Sequence, residues 1–257
     1  MNIRYRSHTM LAPLGHAIVF FARTAWHLPA ALLQPRLWLP HWSHSLLGVL
    51  PLAAAAGIAM GIIAWLQLRN LLVPYGSVEA LPRVLLLTVV WEFGPIAVAF
   101  VAAGRLGAGL AAELAALKES EQIDAAQVLG MRIIPRLVAP RVLGCILALP
   151  ILTVFVDYLA LASSYSAEAL AGTMTWLEFA RASLRHLNLL DTILSIIKTC
   201  VFGYLIACAG CYAGLRASGG AVAVGKAATQ GVVRATLLVL LADVVLVKLI
   251  QLVVGSR

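Results

Sequence analysis

Five stretches of this chain are long enough to cross a bilayer and almost empty of charge. A spanning helix needs about 20 predominantly apolar residues. The stretches are 46–68, which has no charged residue, 84–104 with Glu92, 142–165 with Asp157, 192–215 with Lys198, and 232–254 with Asp243 and Lys248 beyond Arg234 at its edge. Hydrocarbon offers no water to satisfy a peptide group, so such segments must bond their own backbone. The strict alternation of a barrel strand is absent, and the spans read as helices. Composition agrees: 62% of the 257 residues are hydrophobic and 12% charged, against about half and about a quarter in a soluble domain. The fold class expected is an all-α membrane protein with no room for a separate soluble domain.

Residues 1–45 differ. They mix Ile18, Val19, Phe20, Phe21, Leu32 and Leu33 with arginines, histidines, prolines and the tryptophans Trp26, Trp38 and Trp42. Tryptophan favours the headgroup layer, so this region is read as one or two interfacial helices, with residues 46–257 as the five-helix domain. A short sixth span is the alternative, but the uncharged stretch between His16 and Arg23 is far below spanning length. The same charges interrupt any leader-like apolar core, and no cleaved signal peptide is predicted.

The net charge of +8 suits anionic lipid headgroups better than nucleic acid, because the basic residues flank apolar runs. Their distribution also orients the chain. One side would hold Arg4, Arg6, Arg23 and Arg36, then Lys118, Arg132, Arg136 and Arg141, then Arg216, Lys226 and Arg234. The other would hold Arg69, Arg83, Arg181, Arg185, Lys248 and Arg257. Eleven against six, with Arg105 and Lys198 set aside as near the membrane, predicts a cytoplasmic N-terminus and an outer C-terminus.

Between the spans, residues 118–129 read as a short amphipathic helix, with Glu119, Glu121, Gln122 and Asp124 polar and Ile123, Val128 and Leu129 apolar. Gly130 would stop it, and Pro135 would keep the chain out of a continuous helix. The outer segment 166–191 should hold a short surface helix around Trp176, Phe179, Leu184 and Leu187, interleaved with Arg181, Arg185 and His186. Small residues four apart (Gly57 and Gly61, Ala103 and Gly107, Gly210 and Gly214) permit close helix contact.

Two motifs invite a chemical reading that their context opposes. Residues 220–227 approach a phosphate-binding loop, but Ala227 follows Lys226 where Ser or Thr should hold magnesium, and no strand precedes. The chain therefore should not hydrolyse ATP itself. Cys208 and Cys211 form a lone C-x-x-C with no second pair or neighbouring histidine, and fit better as small packing residues. Cys145 and Cys200 also lie in apolar runs.

Charge inside a span is costly and faces a bundle interior, a wet cavity or an opposite charge. Counting depth, Asp157 and Lys198 both lie roughly 10 Å below the outer surface and are expected partners. Glu92, near mid-membrane, could share Lys198, and Lys248 should snorkel outward. These groups, with Asp243, could line a headgroup path or act as helix–helix glue. Gly94 and Pro95 should kink or break the second span.

The run Glu92-Phe-Gly-Pro95, then Arg105, Glu113, the Glu121–Ala125 stretch, Gly130, Pro135 and Pro140-Arg141 resembles the signature block of MlaE-type permeases. Asp157, Lys198, Phe202-Gly203, Cys211 to Gly214 and Gly219 to Ala221 continue the likeness over about residues 46–254. Trp91 departs from it, standing where an arginine or other polar residue is common. The resemblance implies an interfacial helix followed by five membrane helices, two copies per transporter, two cytoplasmic ABC ATPase subunits that bind the ATP and magnesium, and a periplasmic MCE-domain oligomer. It implies a phospholipid substrate, a bacterial inner-membrane location and no cofactor on this chain. Lys118, Glu121, Gln122 and Asp124 would form or support the helix that docks on the ATPase; Glu92 and Lys198 would lie near a lipid cavity. Rival readings are an ABC permease for a non-lipid substrate, a membrane-embedded enzyme and an ion-driven carrier. No clustered nucleophile and base supports the second. No internal repeat supports the third.

Overall fold

The computed structural model describes residues 11–171, 175–184 and 189–254. Arg4, Arg6, Arg185, His186, Leu187 and Arg257, which entered the charge count or the outer-helix reading, lie outside them. Among the described residues every regular element is helical, and five helical stretches are long and apolar enough to cross a membrane.

Helix α1 (Leu11–Leu32) is followed after a two-residue turn by α2 (Pro35–Leu72). Pro35 opens α2 as a first-turn proline, where a missing N–H costs nothing. The chain returns as one helical rod, Val78–Glu119, built from α3 (Leu81–Thr88), a wide π turn at Val89–Phe93, α4 (Gly94–Ala102), a second π turn at Ala103–Gly107, and α5 (Ala108–Glu119). The short α6 (Gln122–Val128) leads into a π turn at Ile134–Val138 and α7 (Ala139–Ala171). Then come α8 (Trp176–Leu184), α9 (Leu189–Leu215) and α10 (Ala221–Val254). The helices outrun the apolar windows that announced them. Hydropathy marks the part that must sit in hydrocarbon, whereas the hydrogen-bond ladder continues until a cap stops it.

Three sequence expectations need correction. Residues 118–129 do not form one helix. Ser120 bonds its hydroxyl back to Ala116 O at 2.9 Å, and Glu121 takes the left-handed conformation at φ 58°, a strained choice for a residue with a Cβ. Lys118 and Glu119 therefore end α5, and α6 is a separate two-turn helix. Gly130 does stop α6: at φ 78°, it lets the Met131 N–H reach back to Ala126 O at 3.0 Å, closing the helix in the usual glycine manner. Pro135 does not hold the chain out of a helix. It sits in the first turn of the π segment that runs straight into α7. Nor is the second span broken at Gly94-Pro95, since the rod stays helical and the preceding π turn absorbs the proline.

The interior is assembled by close backbone approach, because lipid supplies no hydrophobic drive between helices. Helix α2 lies along α7, where a Cβ on Gly57 would stand 3.1 Å from Val156 O and one on Gly61 would collide with Ala160 O. Ser164 donates to Gly61 O at 2.9 Å. At the other contact, α5, α9 and α10 meet around Gly107: Cβ atoms on Gly210 and Gly231 would fall 2.9 and 2.5 Å from its carbonyl oxygen. The small-residue spacings thus mark the two tightest seams. Cys145, Cys208 and Cys211 are buried in the same core, as packing residues.

At the far end, buried Glu168 on α7 accepts from Trp65 Nε1 on α2 at 2.6 Å, with Arg69 Nε 3.6 Å away. Helix α8 packs Phe179 edge-on against Tyr165, 4.4 Å between ring centres, and exposes Leu177, Glu178 and Arg181. Thr175 and Glu178 form a capping box at its start. The two Thr175 donors hold the Glu178 carboxyl below its ordinary range.

Candidate functional site

Lys198 is the most buried cation among the described residues, 1% exposed. Its ammonium on α9 lies 2.8 Å from Glu92 Oε2 on the rod and 2.7 Å from Asp243 Oδ1 on α10. The Asp243 contact is an ion pair off the hydrogen-bonding direction. A third acceptor comes from the backbone. In a regular helix the Trp91 carbonyl would accept from the N–H of residue 95, and Pro95 has none. Lys198 Nζ takes that carbonyl at 3.2 Å. The proline in the rod is thus tied to the charge cluster: it leaves free an oxygen that a lysine on the next helix needs.

The geometry confirms the expectation that Glu92 shares Lys198 and overturns the pairing of Asp157 with Lys198. The ammonium hydrogen-bonds Glu92 and Trp91 O and is ion-paired with Asp243, and it makes no bond to Asp157. Asp157 instead faces the rod one step away. Its carboxylate occupies the space where a side chain on Gly94 would stand, and Oδ1 is buried without a hydrogen-bond partner. Lys248 is exposed, as expected of a residue near a helix end. Asp243 could have been matched to Lys198 by depth only if the start of α10 at Ala221 had been known.

A cavity of about 180 Å³ opens beside the cluster. Leu194, Val247 and Ile250 supply apolar walls, and Trp91, Ser195 and Gln251 add polar points. Trp91 Nε1 is buried and unpartnered, a donor available to a ligand. With one ammonium and two carboxylates, the cluster carries a net charge of −1 when all three ionise. Glu92, a third exposed, is the member most open to the cavity. An apolar slot with a charged floor suits an amphiphile better than a small polar solute.

The residues read as ATPase-coupling lie at the opposite end. Gln122 and Asp124 sit on α6 with Glu121 at its cap, and buried Ile123 anchors the helix. Val128 and Leu129 are 89% and 79% exposed. Lys118 is set apart: its Nζ donates to Leu215 O at 2.8 Å and ties α5 to the end of α9. Of the remaining signature residues, Arg141 and Glu113 pair at 2.6 Å, Pro140 opens the buried face of α7, and Arg105 lies in the second π turn. The loop-like segment 220–227 opens helix α10. The Gly220 N–H, which would face phosphate in a nucleotide loop, donates instead to Glu119 at 2.8 Å. Among the described residues, no three His, Cys, Asp or Glu side chains gather to hold a metal.

Comparison with known proteins agrees with this architecture. The family model "Permease MlaE" matches residues 39–249. A probable ABC transporter permease protein of Rickettsia typhi is 28% identical over 240 residues, covering 92% of this chain and 93% of the relative. One from Synechocystis is 32% identical over 184 residues, 72% and 70% of the two chains. The chloroplastic protein TRIGALACTOSYLDIACYLGLYCEROL 1 of Arabidopsis thaliana is 36% identical over 172 residues, 66% of this chain and 49% of its own. With five membrane-length helices and a family match running from the start of α2 to the last turns of α10, this multi-pass membrane protein belongs to the MlaE permease family.

Proposed function

We propose that this permease subunit moves phospholipid or a related lipid between the bacterial inner membrane and a periplasmic partner, powered by ATP hydrolysis in a partner ATPase. The carrying observation is the mostly apolar cavity floored by Lys198 and Glu92, with Asp243 paired to Lys198. Its charged floor would meet the headgroup and its walls the acyl chains. The name of the chloroplast relative, which contains a glycolipid, supports lipid cargo. Two copies would pair around a joint cavity. An MCE-domain oligomer on the periplasmic side would receive or deliver the lipid, and the ATPase would carry the ATP and magnesium. The excess of Lys and Arg near α6 supports a cytoplasmic position for that end. Glu121, Gln122, Asp124 and the bare apolar pair Val128 and Leu129 would seat α6 on the ATPase, while Lys118 would pass its motion to α9 through Leu215.

The test is native mass spectrometry of the tagged protein gently extracted from its own membrane. Two copies with an ATPase pair, an MCE-domain oligomer and bound phospholipid are expected. A small polar ligand in place of lipid would overturn the cargo, and a lone chain would overturn the assembly.

A further inference from the structure

A second cavity, about 290 Å³ and lined by charged residues, lies at the α6 end of the bundle, about 20 Å from Glu92 along the same rod at 1.5 Å per residue. Its charged and polar lining is His41, His44 and Ser45 from α2, Arg105 and Glu113 from the rod, and Arg141 from α7. Leu106 and Leu110 form an apolar wall. Arg141 has only 8% of its side chain exposed. One terminal nitrogen donates to Glu113 and the other to Leu137 O, each at 2.6 Å. Its Nε is buried with no partner.

A buried guanidinium N–H without an acceptor costs free energy that an incoming acceptor would recover. Arg105 adds a second full positive charge and is itself exposed, so only Glu113 offsets the two arginines. With both histidines neutral the cavity is +1, the complement of a single phosphodiester. Arg105 sits within the π turn Ala103–Gly107, as Glu92 sits within Val89–Phe93. Such turns concentrate at functional sites because they re-aim a side chain without breaking the helix. The volume, at the small end for ligand pockets, takes a headgroup but not its acyl chains, which would lie on the Leu106 and Leu110 side.

We infer that this cavity is an anion site for the phosphodiester of an anionic lipid headgroup, distinct from the Lys198 cavity and placed at the membrane face that carries α6. Arg105 and the free Nε of Arg141 would donate to the phosphate oxygens, His44 would contact it from the rim, and Glu113 would hold the Arg141 plane in place. A zwitterionic headgroup would bring an ammonium into an already positive pocket and bind less well.

The full-length protein is reconstituted in phosphatidylcholine nanodiscs doped with phosphatidylglycerol, and retained lipids are counted by native mass spectrometry. The expected result is preferential retention of phosphatidylglycerol, falling about tenfold or more in Arg105→Gln, the loss set by one charge-assisted hydrogen bond. Arg105 is exposed, so this variant should fold; His44→Gln, also on the rim, gives a second and smaller loss. Inorganic phosphate is then added as a competitor. Displacement of the lipid assigns the pocket to a free anion, and persistence assigns it to the headgroup; both uphold an anion site. Unchanged phosphatidylglycerol retention in Arg105→Gln and in the Arg105→Gln/His44→Gln double variant overturns it. Glu92→Gln, in the other cavity, separates this inference from the transport reading: loss of lipid there alone would leave transport standing and remove the second site.

Discussion

Replacing Lys198 with Met removes the cation from between two carboxylates. Unit charges at 2.7–2.8 Å attract by about 6 kcal/mol at an effective dielectric near 20. Desolvating the ions offsets much of that attraction, so the intact cluster contributes little net stability; breaking it is another matter. Removing one partner of a buried pair costs about 3–5 kcal/mol, because the other charge stays buried and uncompensated. Here two such charges remain, although Glu92, a third exposed, recovers some hydration. Lys198→Met should therefore lower the unfolding midpoint of the detergent-solubilised protein by on the order of 10 °C for a chain of this size. Adding Asp243→Asn should restore most of the loss, since the net charge returns to −1 with only the more exposed carboxylate ionised. Transport should not return with it. A single variant as stable as the parent, or a double variant no better than the single, would refute the reasoning that Lys198 is held by both carboxylates.

Four more outcomes rest on the packing and the ends of the bundle. Gly231→Ala should destabilise by about 1–3 kcal/mol through overpacking, because its Cβ would sit 2.5 Å from a carbonyl oxygen. Gly225→Ala, earlier on the same helix and in open space, should be neutral or stabilising by about 0.5–1 kcal/mol from helix propensity; paired thermal melts check both. Glu121→Lys should leave folding intact and reduce lipid-coupled ATPase activity of the reconstituted complex, and unchanged coupling would remove that residue from the docking surface. Gly94→Ala should displace Asp157 and lower the melting temperature, with Gly94→Ala/Asp157→Ala recovering part of the loss.

The helix inventory was legible because hydrocarbon imposes a length and forbids unsatisfied backbone, so the windows containing Glu92, Asp157, Lys198 and Asp243 could be nothing but helices. Partners within the bundle were less legible. Depth counting requires helix ends, and α10 begins at Ala221, eleven residues before its apolar window. That offset hid the match of Asp243 to Lys198 and favoured Asp157. The histidines illustrate a different gap. His41 and His44 lie before the first apolar window and read as membrane-surface residues, yet α2 already starts at Pro35 and carries both to Arg105 and Arg141. Glu121 was read correctly as polar and accessible, but a left-handed glutamate has no sequence signature, so the break between α5 and α6 could not be foreseen.

The three π turns connect these observations. Each inserts a residue into a helix that lipid will not allow to unravel, and the first two carry Glu92 and Arg105, one from each of the two cavities described. A regular helix keeps polar residues on a face fixed by its 3.6-residue period, and on a mostly apolar rod that face would meet lipid or tightly packed neighbours. A wide turn shifts the angular position of every residue beyond it while most backbone groups stay bonded. Pro95 completes the arrangement by leaving the Trp91 carbonyl for Lys198. The polar points of this bundle therefore depend on local irregularities in the helices as much as on the choice of charged residues.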